Sequence, residues 1–186
     1  MGRGMKIVIA MVGGGVAALL AFVLIGLPLY VYPAHDEPRD VDAVFVIGPP
    51  SEQRMEIAES MLEAGQADAL VISIEDGPGL PEWMDAAIAA CTEPRDYPVY
   101  CAQPDPFSTR GEARWIARLA DENDWESIAI ITVGHHMSRT RVIMERCLNG
   151  DQVYLVAPAP MTPRYMAYQY VYQTAAFVKV AFERGC

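Results

Sequence analysis

Charged residues are missing from one long stretch near the N-terminus. No Asp, Glu, Lys or Arg occurs from residue 7 to residue 34, between Lys6 and His35, and no acidic residue precedes Asp36. This uncharged run is longer than the roughly 20 apolar residues that cross a bilayer as a helix. The absence of charge therefore predicts a membrane-spanning helix within residues 1–34.

A signal-peptidase site is also missing after this run. A cleaved signal peptide has an apolar core of about 7–15 residues followed by a small-x-small site, whereas Ala34 has Tyr32 two positions before it. The run is therefore expected to stay as an anchor, with Tyr30 and Tyr32 at its far interface. Because Arg3 and Lys6 precede the run and acidic residues follow it, the positive-inside rule places residues 35–186 outside the cytoplasm. The expected location is the plasma membrane, crossed once, with the N-terminus in the cytoplasm.

Basic residues are scarce in the rest of the chain. The formal net charge is −10, and residues after 35 carry 12 Lys and Arg against 24 Asp and Glu, which is near −12. A nucleic-acid-binding domain needs a basic face, so this class of function is excluded. We interpret the acidity as a contribution to solubility.

Only four cysteines occur, and none belongs to a C-x-x-C pattern. Outside the cytoplasm, an even number of cysteines permits disulfides, and four allow three pairings. We favour Cys91–Cys101, which would join the end of a helix to the next strand, and Cys147–Cys186, which would tie down the C-terminus. Four free thiols are the alternative.

Apolar runs of strand length alternate five times with stretches of helical spacing. The strands are predicted at 43–47, 69–74, 99–102, 128–133 and 153–157, and the helices at 52–64, 81–90, 109–120, 138–148 and 163–184. Continuous apolar runs are typical of strands buried on both faces. The pattern predicts a three-layer α/β/α sandwich with a mainly parallel, Rossmann-like sheet of five strands. The expected organisation is an anchor at 1–34, a linker at 35–41 and one α/β domain at 42–186.

Several motifs that define well-known enzyme classes are absent. The sequence has no P-loop, no G-x-G-x-x-G after the first strand, no G-x-S-x-G elbow and no H-E-x-x-H pair. P-loop nucleotide hydrolysis, ordinary dinucleotide binding, a hydrolase triad on a nucleophile elbow and zinc proteolysis are therefore not expected. His135 and His136 are adjacent rather than spaced as metal ligands, so no metal is predicted.

Arginines, in contrast, recur in the first turn of successive predicted helices. They are Arg54, Arg110, Arg139 and Arg164. A helix N-terminus already carries about half a positive charge, so an arginine there needs a balancing negative group. The carboxyl ends of parallel strands share one edge, where ligands of such folds bind. We therefore expect these arginines to form a shared anion site, with backbone N–H groups as further donors. The alternative is internal pairing with Asp105 and Glu112.

The junction at 132–141 contains two of the three histidines. His136 lies three residues before Arg139 at a helix start, so the two side chains can face one pocket. With an ordinary pKa near neutrality, His136 is a candidate general acid or base. The alternative is a hydrogen-bonded structural histidine. His135 is expected to point elsewhere, and Glu75 with Asp76 is expected to form a solvated turn.

Four blocks together resemble one known family. They are Gly48 after the first strand, Arg54 in the next helix, Ser108-Thr109-Arg110-Gly111-Glu112-Ala113, and Thr132 with His136-Met137-Ser138-Arg139. They resemble the YdcF-like family, also called domain-of-unknown-function family 218, over about residues 41–160. The resemblance implies a Rossmann-like fold. Its membrane-anchored members, of the SanA and ElyC type, are implicated in envelope barrier function and lipid-carrier-linked polymer assembly. One soluble member is reported to bind S-adenosylmethionine, and no enzymatic activity is settled for the group.

The resemblance also implies a set of site residues and a function. By the resemblance, the candidate site residues are Arg54, Thr109, Arg110, Glu112, Thr132, His136 and Arg139. We predict His136 and Glu112 as catalytic residues, and Arg54, Ser108, Thr109, Arg110, Thr132, Gly134 and Arg139 as ligand-binding residues. The implied function is binding, and acting on, an anionic phosphorylated envelope metabolite or lipid-carrier intermediate. The alternatives are a non-catalytic envelope scaffold or binding protein, and an S-adenosylmethionine-binding protein, which the predicted topology disfavours because that cofactor is cytoplasmic.

Two loops depart from the family pattern. Pro49-Pro50 stands where relatives have further glycines after the first strand, and Ser73-Ile74-Glu75-Asp76 stands where they have Ser-Gly-Gly. Close backbone approach to a ligand is less favourable there, and the acidic turn would repel a phosphate.

Overall fold

A computed structural model describes residues 2–77, 79–183 and 185–186. The strands are β1 (Val41–Val46), β2 (Ala67–Ser73), β3 (Val99–Ala102), β4 (Ser127–Val133) and β5 (Asp151–Ala157). The helices are α1 (Arg3–Gly26), α2 (Glu52–Glu63), α3 (Asp85–Thr92), α4 (Thr109–Asn123), α5 (Gly134–Cys147) and α6 (Pro163–Phe182). The predicted alternation of strands and helices is confirmed. The predicted end of the last helix, Arg184, lies outside the described residues.

The sheet is wholly parallel, with the strand order β3-β2-β1-β4-β5. β1 is central, and Phe45 pairs with Val71 on one side and with Ile130 on the other. The strand order reverses between β1 and β4, which leaves a crevice at their carboxyl ends. The Rossmann-like α/β fold predicted from the apolar runs is therefore confirmed.

The sheet is covered on both faces, which is why the central parts of its strands are continuous apolar runs. On one face, Val46 and Ile72 pack with Met55 of α2 and with α3. On the other face, Phe45 and Ile130 pack with residues of α4 and α5. These two layers fix the starts of the helices over one edge of the sheet.

Helix α5 begins four residues earlier than the sequence indicates. It starts at Gly134, directly after the extended residue Val133, and no side chain of the described residues caps it. Because glycine and histidine are poor helix formers and no capping residue marks the boundary, the pattern gave no sign of this start. As a consequence, His135 and His136 lie in the first helical turn and not in a loop.

The N-terminal helix is long and apolar enough to cross a membrane. α1 continues as a π-helical turn, Leu27–Val31, and the combined segment of 29 residues reaches a mean hydropathy of 2.7 with none of its most apolar window buried. At its far end Tyr30 is 3% exposed and packs against Tyr170 of α6. Tyr30 was expected at a membrane interface beside Tyr32, but it is covered by the domain; Tyr32 is exposed.

Both favoured disulfides are present. Cys91, near the end of α3, pairs with Cys101 of β3, and Cys147, at the end of α5, pairs with Cys186. Two disulfides are typical of a domain in an oxidising compartment.

Replacing Cys91 and Cys101 together by serine should lower the free energy of unfolding by about 3 kcal/mol. The bond joins residues 10 positions apart, and the chain-entropy relation gives about this value for so short a loop. Urea unfolding of the full chain in detergent measures the change. In reducing buffer, where the native chain also loses its bonds, the two proteins should unfold at nearly the same urea concentration. Equal midpoints in oxidising buffer would contradict the prediction.

Candidate functional site

A pocket of about 440 Å³ lies over the crevice between β1 and β4. Its volume is in the range of small-molecule sites, roughly 300–1,000 Å³. The loop after β1, the first turns of α2, α4 and α5, the loop after β5 and one side of α6 form its walls. Its polar lining consists of Ser51, Gln53, Arg54, Ser108, Thr109, Glu112, His135, His136, Arg139, Tyr165, Gln169, Tyr172 and Gln173.

Arg54 is held in the pocket by the loop that follows β1. Its side chain comes from the first turn of α2, and the residue is 6% exposed. Nη1 donates to the carbonyl oxygens of Ile47 and Pro49, each at 2.7 Å. Nε is buried and has no partner among the described residues. Burial lowers the pKa of Arg54 to about 10, against the favourable field of Glu112. The group is therefore a buried cation at neutral pH.

Glu112 is the carboxyl group whose field acts on Arg54. It is 4% exposed, and its Oε1 accepts a hydrogen bond of 2.7 Å from the backbone N–H of Gly48. A Cβ at Gly48 would lie 3.0 Å from the carbonyl oxygen of Ser73 and 3.2 Å from Oε1 of Glu112, so this close approach favours glycine. Burial raises the pKa of Glu112, opposed by the Gly48 N–H and by the two pocket arginines.

His136 joins two threonines inside the pocket wall. Its Nδ1 lies 3.0 Å from Oγ1 of Thr132, and its Nε2 lies 3.3 Å from Oγ1 of Thr109. Burial and, secondarily, the nearby arginines hold the pKa of His136 well below its usual value. The imidazole is therefore neutral at neutral pH. A neutral imidazole beside a hydroxyl is the pairing of a base with a nucleophile, which is the chemistry this contact offers.

Arg139 extends the same polar network toward α6. Its Nη1 donates to Oγ1 of Thr109 at 3.3 Å, and its Nε donates to Oε1 of Gln173 at 2.9 Å. Gln173 in turn donates to Gln169. Burial lowers the pKa of Arg139, while Tyr172 and Glu112 oppose the shift. Two hydrogen bonds therefore fix the direction of a half-buried guanidinium at the pocket.

His135 also lines the pocket, so the expectation that it points elsewhere is wrong. Its Nε2 lies 3.3 Å from the hydroxyl of Tyr165, and the two rings meet edge to face. Its Nδ1 is buried without a partner among the described residues. Burial, followed by the fields of Arg54 and Arg139, lowers the pKa of His135 to about 4. Both pocket histidines are therefore neutral at neutral pH.

The four arginines predicted to converge do not all reach the pocket. Arg110 donates to the backbone oxygen of Glu183 and forms a 3.2 Å ion pair with its carboxylate, and Arg164 is exposed outside the lining. A first-turn residue can point in any direction around the helix, because successive side chains are about 100° apart. Thr109 and Glu112 face the pocket, so Arg110 faces away. Arg54 and Arg139 therefore line one pocket as predicted, whereas Arg110 and Arg164 do not. Arg110 shares only a smaller neighbouring pocket with Arg139.

Internal pairing with Asp105 and Glu112 does not neutralise the two pocket arginines. Among the described residues, no carboxylate oxygen lies within 4.0 Å of Arg54 or Arg139. Asp105 is exposed and outside the lining. The alternative interpretation explains only Arg110, and its partner there is Glu183.

Of the remaining predicted residues, Ser108 lines the pocket, and Thr132 and Gly134 lie outside its lining. Ser108 lines the pocket and caps α4 by accepting from the N–H of Gly111 at 3.3 Å. Thr132 lies behind His136, and Gly134 begins α5 outside the lining. The acidic turn at Glu75-Asp76 is exposed and does not line the pocket. Its charge is therefore not part of the pocket wall.

The polar lining residues that sequence reasoning missed are Gln53 of α2 and four residues of α6. Tyr165, Gln169, Tyr172 and Gln173 all line the pocket. The signal that could have found them is the pair of glutamines four residues apart, which occupy one side of a helix otherwise rich in aromatic and small apolar residues.

No family model, curated protein or solved structure matches this chain. What the pocket binds has to follow from its own residues. These include one buried carboxyl group, two neutral imidazoles, and two guanidinium groups that have no carboxylate partner in the described part of the chain.

Proposed function

We propose that this chain is a membrane-anchored, extracytoplasmic protein of the YdcF-like type that binds an anionic group, such as a phosphate, of an envelope metabolite or lipid-carrier intermediate. The observation that carries the proposal is the pair Arg54 and Arg139. Both lie in one pocket, and neither has a carboxylate within ion-pair distance among the described residues.

The hydrogen bonds inside the protein leave the charge of these arginines uncompensated. Carbonyl and amide oxygens accept from Arg54 and Arg139 but carry no formal charge. A buried charge is costly unless it is paired, and guanidinium groups match the oxygens of phosphate and carboxylate. A bound anion would balance the two cations.

The contacts of the segment that follows α1 support a retained anchor. The hydroxyl of Ser138 donates to the backbone oxygen of Leu29 at 2.9 Å, and Arg141 donates to that of Ala34 at 3.3 Å. With Tyr30 buried against α6, the end of the apolar helix is part of the domain's packing. Cleavage of this segment would expose the surface that it covers. The two disulfides, and Arg3 and Lys6 at the start of the helix, support an extracytoplasmic domain.

Pyrophosphate should raise the thermal unfolding midpoint of the full chain in detergent. A ligand that binds only the folded state stabilises it by about 2.7 kcal/mol at a hundred times its dissociation constant. The control is sodium chloride at matched ionic strength, which supplies ions without a polyvalent anion. An identical midpoint in both salts would contradict anion binding in this pocket.

A second candidate function is binding without catalysis. The observation that favours it is that both ring nitrogens of His136 lie against threonine hydroxyls of the protein. If binding is the whole function, His136→Ala should complement a deletion of the gene. If His136 transfers a proton during a reaction, the variant should keep pyrophosphate binding and fail to complement.

A further inference from the structure

The surface of α6 that faces away from the domain is apolar. We call it the outer face and define it as Tyr168, Val171, Ala175, Val178 and Phe182, which recur at intervals of three and four residues. Val171 is 66% exposed and Phe182 is 83% exposed. The opposite side of the helix buries Gln169 and Gln173. A helix against water has the reverse arrangement, so an apolar environment is expected to cover the outer face.

The charges around the outer face are basic. The chain has 24 acidic residues, yet none occurs between Asp151 and Glu183. Within that interval the charged residues are Arg164 and Lys179, both exposed, although Lys179 also lies 3.8 Å from Glu183. Basic residues beside apolar side chains favour a surface of anionic lipid. In a protein of net charge −10 this local absence of acid is distinctive.

The same helix packs against the last turns of the apolar helix α1. The ring of Tyr170 lies edge to face with that of Phe22, at 5.8 Å, and its hydroxyl donates to the backbone oxygen of Val23 at 3.2 Å. A side chain at Gly26 would overlap the Tyr170 ring, so glycine permits this approach. About 20 residues cross the hydrocarbon layer. A crossing that begins near Ile7 ends near Gly26. Because α6 contacts α1 close to this end of the crossing, α6 is expected at the depth of the lipid headgroups.

We infer that the outer face of α6 rests on the outer leaflet of the membrane that α1 crosses, with the pocket opening beside the lipid headgroups. Tyr172 lines the pocket and stacks on Tyr168 of the outer face, with ring centroids 5.8 Å apart. The pocket therefore borders the membrane-facing surface. A lipid with an anionic headgroup can present that group to Arg139 while its chains stay in the bilayer. This inference rests on the proposed anchoring by α1.

Nitroxide accessibility measures the position of the outer face in the full chain. The native cysteines of the chain are paired in disulfides, so one added cysteine gives one label. The protein is reconstituted into vesicles of phosphatidylcholine and phosphatidylglycerol as Val171→Cys. Matched variants are Leu20→Cys in α1 and Glu63→Cys at the end of α2, where both native side chains are exposed. Collision with oxygen, which concentrates in lipid, is compared with collision with a water-soluble nickel complex.

The expected result is a label at position 171 that resembles the label at position 20. Its collision rate with the nickel complex should be several-fold lower than at position 63, while oxygen remains accessible. A nickel rate at 171 equal to that at 63 would overturn the inference, because the outer face would then be in water. If the label at 171 is protected from both oxygen and nickel, and its spectrum is broadened by a second nearby label, the outer face contacts a second copy of the chain. This result would also overturn the inference. A label at position 20 that collides freely with the nickel complex would contradict the membrane crossing by α1, and with it the inference.

Failure of anion binding is distinguishable from failure of this inference. The accessibility measurement needs no pocket ligand, and the pyrophosphate measurement needs no lipid vesicle. A chain whose pocket does not bind pyrophosphate should still show a lipid-exposed label at position 171.

Discussion

Arg139→Ala should strongly reduce the stabilisation of the full chain by pyrophosphate. Its guanidinium is half buried, directed by Gln173 and Thr109, and unpaired with a carboxylate among the described residues. Hydrogen bonds to charged groups contribute about 1.5–3 kcal/mol, so the affinity should fall by roughly ten- to a hundredfold. The thermal midpoint is measured with increasing pyrophosphate and compared with the midpoint of the same variant in chloride.

Arg110→Ala is the matched control for this experiment. It removes an arginine from the first turn of a neighbouring helix, but the side chain pairs with Glu183 outside the pocket. Its response to pyrophosphate should equal that of the native chain. Equal responses of the Arg139 and Arg110 variants would show that the pocket arginine does not hold the anion.

The full chain should lose stability as the pH falls from about 6.5 to about 4. In this window the unfolded imidazole of His135 takes up a proton near its ordinary pKa, whereas burial keeps the folded group neutral down to about pH 4. The unfolded state then binds more protons, so the free energy of unfolding decreases on acidification. The shift corresponds to at most about 3 kcal/mol from His135, and the lowered pKa of His136 adds to it in the same direction. Urea unfolding at a series of pH values measures the loss.

His135→Phe identifies the contribution of this one group. It keeps an aromatic ring against Tyr165 and removes the titration, so its stability should depend less on pH than that of the native chain. His35→Gln, at an exposed position, is the control and should keep the native dependence. The raised pKa of Glu112 acts in the opposite direction, since its folded form binds a proton more readily. A pH dependence of His135→Phe equal to the native one would contradict this explanation.

The strands and the disulfides could be predicted because each depends on a strong local or topological signal. A strand covered on both faces has to be apolar, as 43–47 and 128–131 are. The predicted order of elements places Cys91 at the end of a helix and Cys101 in the strand that follows it. The two cysteines are therefore close enough to pair. The start of α5 had no such signal, since its first turn contains a glycine and two histidines and no cap.

The candidate site could be predicted only in part. The edge of the sheet follows from the topology, which is why Arg54, Thr109, Glu112, His136 and Arg139 line one pocket. The direction of Arg110 depends on the rotation of α4 and cannot be read from its position in the first turn. The contribution of α6 depends on how the last helix crosses the pocket, which is set by its packing on α1 and α5. That packing brings Gln173 to Arg139 across 34 positions of the sequence.

Native mass spectrometry of the full chain, released from the membranes in which it is expressed, tests the central claim most directly. If Arg54 and Arg139 balance a bound anion, the native protein should carry a phosphorus-containing or otherwise anionic molecule that is absent from Arg139→Ala and retained by Arg110→Ala. A native chain without any bound anion, or equal occupancy in all three proteins, would contradict the claim.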